Sequence, residues 1–80
     1  MTLEQQSAEA KSARLLDLYA RFISGQTLNK QGLASEYGVT TRSIQRDMES
    51  LRCFLMEKGL SQEIIYGRRH GGYRMVSSVP

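Results

Sequence analysis

The sequence contains one cysteine, one histidine and no long hydrophobic run among its 80 residues. Because Cys53 has no second cysteine to pair with, an internal disulfide and a disulfide-stapled secreted domain are excluded. No apolar stretch approaches the roughly 20 residues that a membrane-spanning helix needs. The N-terminus has neither the basic start nor the apolar segment of a secretory signal peptide. We therefore expect a cytoplasmic protein with no membrane partner.

Residues that could carry catalysis or bind a metal are also scarce. His70 is the one histidine, and no cluster of Cys, Asp or Glu surrounds it at the spacing of metal ligands. The chain has no nucleophile–base pair, no glycine-rich phosphate loop and no paired carboxylates at a meaningful spacing. We therefore expect neither an enzyme nor a bound cofactor. Cys53 is interpreted as a passive thiol in preference to a redox switch.

What the chain does have is basic charge, most of it arginine. The length allows one domain, and the formal net charge is +3. Arg42 and Arg46 form one cluster, and Arg68, Arg69 and His70 form another. A guanidinium group can make paired hydrogen bonds to guanine edges and to phosphates. For any one arginine a solvated surface is an equal alternative, but two clusters together favour a nucleic-acid partner.

The first part of the chain predicts an amphipathic helix from Ala8 to about Ser24, with a stop signal at Gly25. Residues 1–7 are polar and are expected to be disordered. The apolar side chains of this helix recur at the spacing of one buried face, and they are Leu15, Leu18, Tyr19, Phe22 and Ile23.

Two further helices follow, each preceded by a residue suited to cap its N-terminus. Asn29 precedes a short helix predicted at Lys30–Tyr37. Thr40 precedes a longer helix predicted at residues 41–58, which Gly59 ends. The longer helix has apolar residues at spacings of four, three and four, and they are Ile44, Met48, Leu51 and Leu55.

The end of the chain changes from a helical to an extended pattern. Glu63–Tyr66 and Tyr73–Val76 are rich in β-branched and aromatic residues, and the glycine-rich segment 67–72 between them predicts the turn of a hairpin. Thr27 and Leu28, between the first two helices, are expected to be briefly extended. Residues 77–80 are expected to begin a linker to a C-terminal domain. Further side chains assigned to the core are Tyr66, Tyr73, Met56 and Met75.

Residues 33–46 have the pattern of a helix-turn-helix. Ala34 is small, so the second and third helices can approach closely. Gly38 can adopt the positive φ that the turn requires, and Val39 is placed to fill the angle between the helices. With the hairpin after it, this motif predicts a mainly α fold with a small β-hairpin (α+β), a three-helix winged helix-turn-helix spanning residues 8–76.

The third helix turns a polar face away from its apolar stripe. At about 100° per residue, Arg42 lies about 160° and Arg46 about 200° from Ile44. Such a face suits the base edges of the DNA major groove. The residues predicted to read bases are Arg42, Ser43, Gln45 and Arg46. Asp47 is expected to orient an arginine or to pair within the domain.

A second set of residues is predicted to contact the DNA backbone or the minor groove. Helix N-termini offer amide groups and a positive dipole end to phosphates, and a basic hairpin tip can act as a wing. These residues are Asn29, Lys30, Thr40, Thr41, Arg68, Arg69 and His70. An edge hairpin that its charges protect from aggregation is the alternative interpretation of the basic tip.

Two separated stretches resemble one known family. Residues 38–51, GVTTRSIQRDMESL, resemble the helix-turn-helix signature of DeoR-type regulators, and residues 65–75, IYGRRHGGYRM, resemble the wing that follows it. Together they are similar to the N-terminal domain of WYL-domain bacterial transcriptional regulators over about residues 12–76. The resemblance implies operator DNA binding, a homodimer in the full-length protein and a separate C-terminal sensor domain. Gly32 and Gly67 depart from the pattern, and Gly32 is expected to loosen the second helix.

These observations favour sequence-specific binding of double-stranded DNA, as the reading domain of a transcriptional regulator and more narrowly of a repressor. The helix at 41–58 would enter the major groove, and the wing at 67–72 would contact the backbone or minor groove. A winged helix used as a protein–protein interaction module is the alternative, and exposed apolar residues would favour it. RNA binding would need aromatic stacking platforms, whereas both hairpin tyrosines are assigned to the core.

Overall fold

The computed structural model describes the backbone of residues 3–77 and the side chains of residues 10–77. Three helices and an antiparallel hairpin follow in the order α1 (Leu3–Ile23), α2 (Lys30–Tyr37), α3 (Thr41–Glu57), β1 (Gln62–Gly67) and β2 (Gly72–Ser77). This is the predicted mainly helical α+β arrangement, a three-helix winged helix-turn-helix. None of its described helices is both long enough and apolar enough to span a membrane.

Helix α1 begins at Leu3, whereas the sequence analysis expected disorder through residue 7 and a helix from Ala8. The helix opens with Leu3, a glutamate and two glutamines, which are residue types of good helix propensity. Residues 1–2 lie outside the described part of the chain. So do residues 78–80 of the expected linker, while Ser77 belongs to β2.

The hydrophobic core lies where the three helices meet the hairpin. The stripe predicted on α3 is confirmed, since Ile44 and Met48 have no exposed surface and Leu51 and Leu55 are buried. The other buried apolar side chains are Leu18, Phe22, Leu28, Leu33, Ala34 and Ile64. Every element except β2 thus contributes a buried apolar side chain, and β2 adds the partly buried Tyr73 and Met75.

Two helical side chains assigned to the core are exposed instead. Ile23 is 51% exposed and Met56 is 80% exposed. At about 100° per residue, Ile23 lies about 140° from Leu18 and Met56 about 120° from Ile44. Both therefore fall outside the buried sector of their helix, and their apolar character alone does not bring them inside. Met75 packs partly buried against the core, as predicted.

Polar contacts fix α2 against α1. The Arg21 guanidinium donates to both carboxylate oxygens of Glu36, at 2.6 and 3.3 Å, and to the Tyr37 hydroxyl at 3.2 Å. The Tyr37 hydroxyl in turn donates to Asp17. A planar guanidinium group that makes two parallel bonds to a carboxylate sets direction as well as distance. This network holds α2 in a defined orientation beside the C-terminal half of α1.

The turn between α2 and α3 has the geometry that the sequence predicted. Gly38 adopts φ +68°, and its N–H bonds the carbonyl groups at the end of α2. The N–H of Val39 donates to the carbonyl of Ala34 at 2.9 Å. A left-handed residue of this kind ends a helix sharply, because glycine has no Cβ to clash. The chain therefore reverses within three residues, 38–40, and α3 leaves at an angle to α2.

The hairpin is joined to the helical part by a short stretch of backbone pairing. Leu28 and Tyr73 exchange N–H to carbonyl hydrogen bonds of 2.7 and 2.6 Å, so the predicted extended piece at Leu28 lies beside β2. A Cβ on Gly72 would lie 2.5 Å from the Leu28 carbonyl oxygen. Glycine at this position is thus required by the close approach of the two backbones.

Candidate nucleic-acid interface

The outward face of α3 presents arginine to solvent. Arg42 and Arg46, both predicted to read bases, are exposed, and so is Thr41 at the first position of the helix. Thr40 caps the helix, since its hydroxyl oxygen accepts from the Ser43 N–H at 3.1 Å. The two arginines follow this cap within two turns, at the end of the helix where unpaired amide groups favour phosphate.

Ser43 and Gln45 lie on the flanks of this face and are half-buried. The Ser43 hydroxyl accepts from the Thr40 hydroxyl at 3.2 Å. The Gln45 amide oxygen accepts from the Lys30 ammonium at 2.9 Å, and its nitrogen donates a longer bond of 3.4 Å to Glu49. Gln45 is therefore held in a fixed orientation, while Arg42 and Arg46 extend into solvent.

The two predicted DNA contacts at the start of α2 have different roles in the fold: Asn29 caps the helix, and Lys30 bonds to α3. The Asn29 side chain accepts from the Gly32 N–H at 2.6 Å and caps the helix, as predicted. A Cβ on Gly32 would lie 3.0 Å from the accepting oxygen of Asn29, so glycine leaves the cap room. The helix spans its predicted range, Lys30–Tyr37, with no acidic residue in its first turn. Lys30 points to Gln45, and its ammonium lies 5.7 Å from the centre of the Tyr73 ring.

The predicted wing residues lie together at the tip of the hairpin. Arg68, Arg69 and His70 are all exposed in the turn that joins the strands. The turn closes through the His70 N–H, which donates to the Gly67 carbonyl at 3.2 Å, and the Gly71 N–H, which donates to the Arg68 carbonyl at 3.3 Å. Three basic or titratable side chains are thus presented on a short, hydrogen-bonded loop.

The base of the hairpin is attached to α3 at Tyr73 and the neighbouring strand β1. Arg52 of α3 donates to the Ile64 carbonyl of β1 at 3.1 Å, and its guanidinium lies 6.0 Å from the centre of the Tyr73 ring. With Lys30 also near this ring, two cations lie within the range of cation–π attraction. The basic clusters of α3 and of the turn therefore belong to one connected body.

Tyr66 was assigned to the hairpin core and is instead 57% exposed. It pairs with Tyr73 across the strands, edge to face, with ring centres 5.0 Å apart. Tyr73 has the core and two cations around it, whereas Tyr66 is covered on one edge by the Tyr73 ring. The correction leaves one exposed aromatic ring on the wing, beside the basic turn.

A buried ion pair joins α1 and α3 next to Arg46. Asp47 is 1% exposed, and its carboxylate accepts two bonds from the guanidinium of Arg14 on α1. The hydrogen bond to Asp47 raises the pKa of Arg14, against the opposing effect of partial burial. The expectation that Asp47 pairs within the domain is confirmed, and its partner, which the sequence pattern does not name, is Arg14. Arg14 could have been found, because it precedes the buried Leu18 by one helical turn.

No family model, curated protein or solved structure matches this chain. Among residues 10–77, no group of three or more His, Cys, Asp or Glu side chains is arranged to hold a metal ion. The interpretation of the site thus rests on its own geometry, which is an arginine-bearing helix face and a basic turn on one connected body.

Proposed function

We propose that this domain binds double-stranded DNA sequence-specifically, with α3 in the major groove and the turn at 68–71 on the backbone or in the minor groove. The observation that carries the proposal is the outward face of α3. Between residues 41 and 52 it exposes Arg42 and Arg46 and no apolar side chain. A protruding helix with arginine forks in its first two turns has the shape and the donors that major-groove readout needs.

The apolar surface of the domain lies elsewhere. Leu16 on α1, Phe54 near the end of α3 and Leu60 beyond it are exposed, and with their neighbours they line a groove between α1 and α3. A protein-interaction module would place such residues on the presented helix face. The single exposed ring of Tyr66 likewise falls short of the stacked aromatics of single-stranded RNA readers. Duplex DNA is therefore the partner we favour.

The resemblance to DeoR-type and WYL-domain regulators extends this proposal to a biological setting. The domain would serve as the DNA reader of a cytoplasmic transcriptional repressor that acts as a homodimer on operator DNA. The basic surface of the domain is separate from its apolar groove, and this separation is compatible with a protein built from several domains.

Selection from a pool of random duplexes, followed by titration at two salt concentrations, tests the proposed function. We expect one enriched sequence and an affinity for all duplexes that falls as salt rises, because phosphate contacts release counterions. DNA flanking the protein's own gene is a useful second probe. Absence of duplex binding at low salt would refute DNA binding, and salt-dependent binding with no enriched sequence would refute specific readout.

Arg46→Ala is expected to cost about 1–3 kcal/mol of binding free energy on the selected sequence and to relax preference at one base position. Arg46→Lys is expected to restore little, because lysine keeps the charge but loses the two-pronged geometry. Base selection with the parent and both variants measures this. Full restoration by lysine, with unchanged preference in the alanine variant, would show that Arg46 contacts phosphate, and readout would then fall to Arg42, Ser43 and Gln45.

Arg68→Ala or Arg69→Ala is expected to weaken binding to all duplexes by a similar factor. Because each residue would neutralise about one phosphate, the slope of log K against log salt should flatten by about one. The measurement is a salt titration on the selected duplex and on a scrambled one. A loss confined to the selected duplex would mean instead that the wing reads bases.

A further inference from the structure

The outward face of α3 also carries one acidic residue, Glu49. It is exposed and lies about 140° from Ile44, on the side that presents Arg42. Among the described side chains it makes no ion pair, and its one hydrogen bond is the 3.4 Å contact from Gln45. The two other acidic residues of α3 differ from it, since Asp47 is buried and paired, and Glu57 ends the helix.

An unpaired carboxylate at this position opposes the general attraction of the surface for DNA. It repels phosphates and adds nothing to non-specific binding, which depends on cations. Its cost is recovered where it accepts a hydrogen bond from a base, because a carboxylate in the groove otherwise loses water without compensation. Such a residue weakens binding to most DNA sequences, and weakens it less where the matching base is present. It therefore increases the difference in affinity between the preferred sequence and all others.

The chemistry of the groove selects the base. An ionised carboxylate is an acceptor with no donor. In the major groove, cytosine offers its N4 amino group without an acceptor on the same base, whereas the amino group of adenine lies beside N7, an acceptor that repels a carboxylate. Guanine and thymine present acceptors at the corresponding edge. Cytosine is thus the base from which Glu49 would accept a hydrogen bond.

The neighbouring amide supports this assignment. Because Lys30 donates to the oxygen of Gln45, the amide nitrogen of Gln45 is turned toward Glu49. The amide keeps one free N–H and one lone pair, which together suit adenine. A row of three polar side chains therefore crosses from α2 to α3. Lys30 is a hydrogen-bond donor, Gln45 is both donor and acceptor, and Glu49 is an acceptor.

We propose that Glu49 is a specificity-determining residue that accepts a hydrogen bond from the N4 amino group of a cytosine in the major groove. The inference rests on the proposed function and deepens it, because it assigns a base to a side chain that the arginine pattern does not include. Lys30 acts as a positioning residue that fixes the orientation of Gln45 beside it.

Base selection on random duplexes with the parent, Glu49→Ala and Glu57→Ala tests the proposal. Glu57 is an exposed glutamate on the same helix, so its replacement makes the same charge change about two turns away. In Glu49→Ala we expect the preference for cytosine at one position to fall by about fivefold or more, with tighter binding to scrambled duplex. In Glu57→Ala the selected sequence should match that of the parent.

Identical selection by Glu49→Ala and the parent, with affinity raised equally for all duplexes, would overturn the inference and leave the proposed function standing. A position that loses preference for a base other than cytosine would overturn the assignment of the base. A parent that selects no sequence would refute the proposed specific readout, and the inference with it. Because Glu49 is exposed, the melting temperature of Glu49→Ala should equal that of the parent. This measurement is the control for intact folding.

Discussion

Ile44→Ala is expected to lower the free energy of unfolding by about 2–5 kcal/mol. Ile44 has no exposed surface and lies in the first full turn of α3, where α1, α2 and α3 all contribute to the core. Truncation leaves a cavity that the close-packed surroundings fill only partly. In a domain of 80 residues this loss is a large part of the total stability. Chemical denaturation followed by circular dichroism measures it.

Ile23→Ala is the matched control for that experiment. It removes the same atoms from a side chain that is 51% exposed at the end of α1, so the cost should be within about 0.5 kcal/mol. Equal midpoints for the two variants would contradict the core assigned to α3. A large loss at Ile44 and a small one at Ile23 would show that burial, and not residue type, decides the effect.

Asp47→Ala is expected to cost about 3–5 kcal/mol, because it leaves the guanidinium of Arg14 partly buried without its counter-charge. The side chain of Arg14 is 12% exposed in the folded domain, so water replaces little of what the carboxylate provides. The pair also joins α1 to α3 immediately beside Arg46. Denaturant unfolding of the variant, compared with the parent at pH 7, measures the change.

A double-mutant cycle separates the pair from its parts. Arg14→Met alone is also expected to destabilise, because it leaves the Asp47 carboxylate buried and unpaired. The double variant, Arg14→Met with Asp47→Ala, should recover much of the loss, since neither charge is left buried without its partner. Additive losses in the double variant would show that the two residues act independently and would contradict the pairing.

The local features of this fold could be predicted from the sequence because each depends on a few adjacent residues. Asn29 and Thr40 cap their helices, and Gly38 has the positive φ that its turn needs. The stripe on α3 is buried as its spacing predicted. What the sequence did not predict are the partners across long separations: Arg14 for Asp47, and Lys30 for Gln45.

Those long-range pairs could not be predicted, because helical periodicity indicates which face of a helix is buried but does not identify the residues of other elements that pack against that face. Asp47 falls about 300° from Ile44, on the buried side, which signals a need for a cation without naming the helix that supplies it. Met56 and Ile23 differ from these pairs, since apolar character assigns them to the core although their positions on the helical wheel already lie outside the buried sector. Among the site residues, exposure followed the wheel for Arg42 and Arg46.

The two hydrogen bonds between Leu28 and Tyr73 have a further consequence, which concerns the path of the chain. Helices α2 and α3 and strand β1 all lie between these two residues, so the pairing closes a loop that contains the whole helix-turn-helix. If the helix-turn-helix opened by itself, it would lose its packing, and with its ends still joined it would gain less entropy than a free chain. The hairpin therefore acts as a clasp, and we expect the helix-turn-helix and the base of the hairpin to unfold together, in the one cooperative transition that small domains usually show.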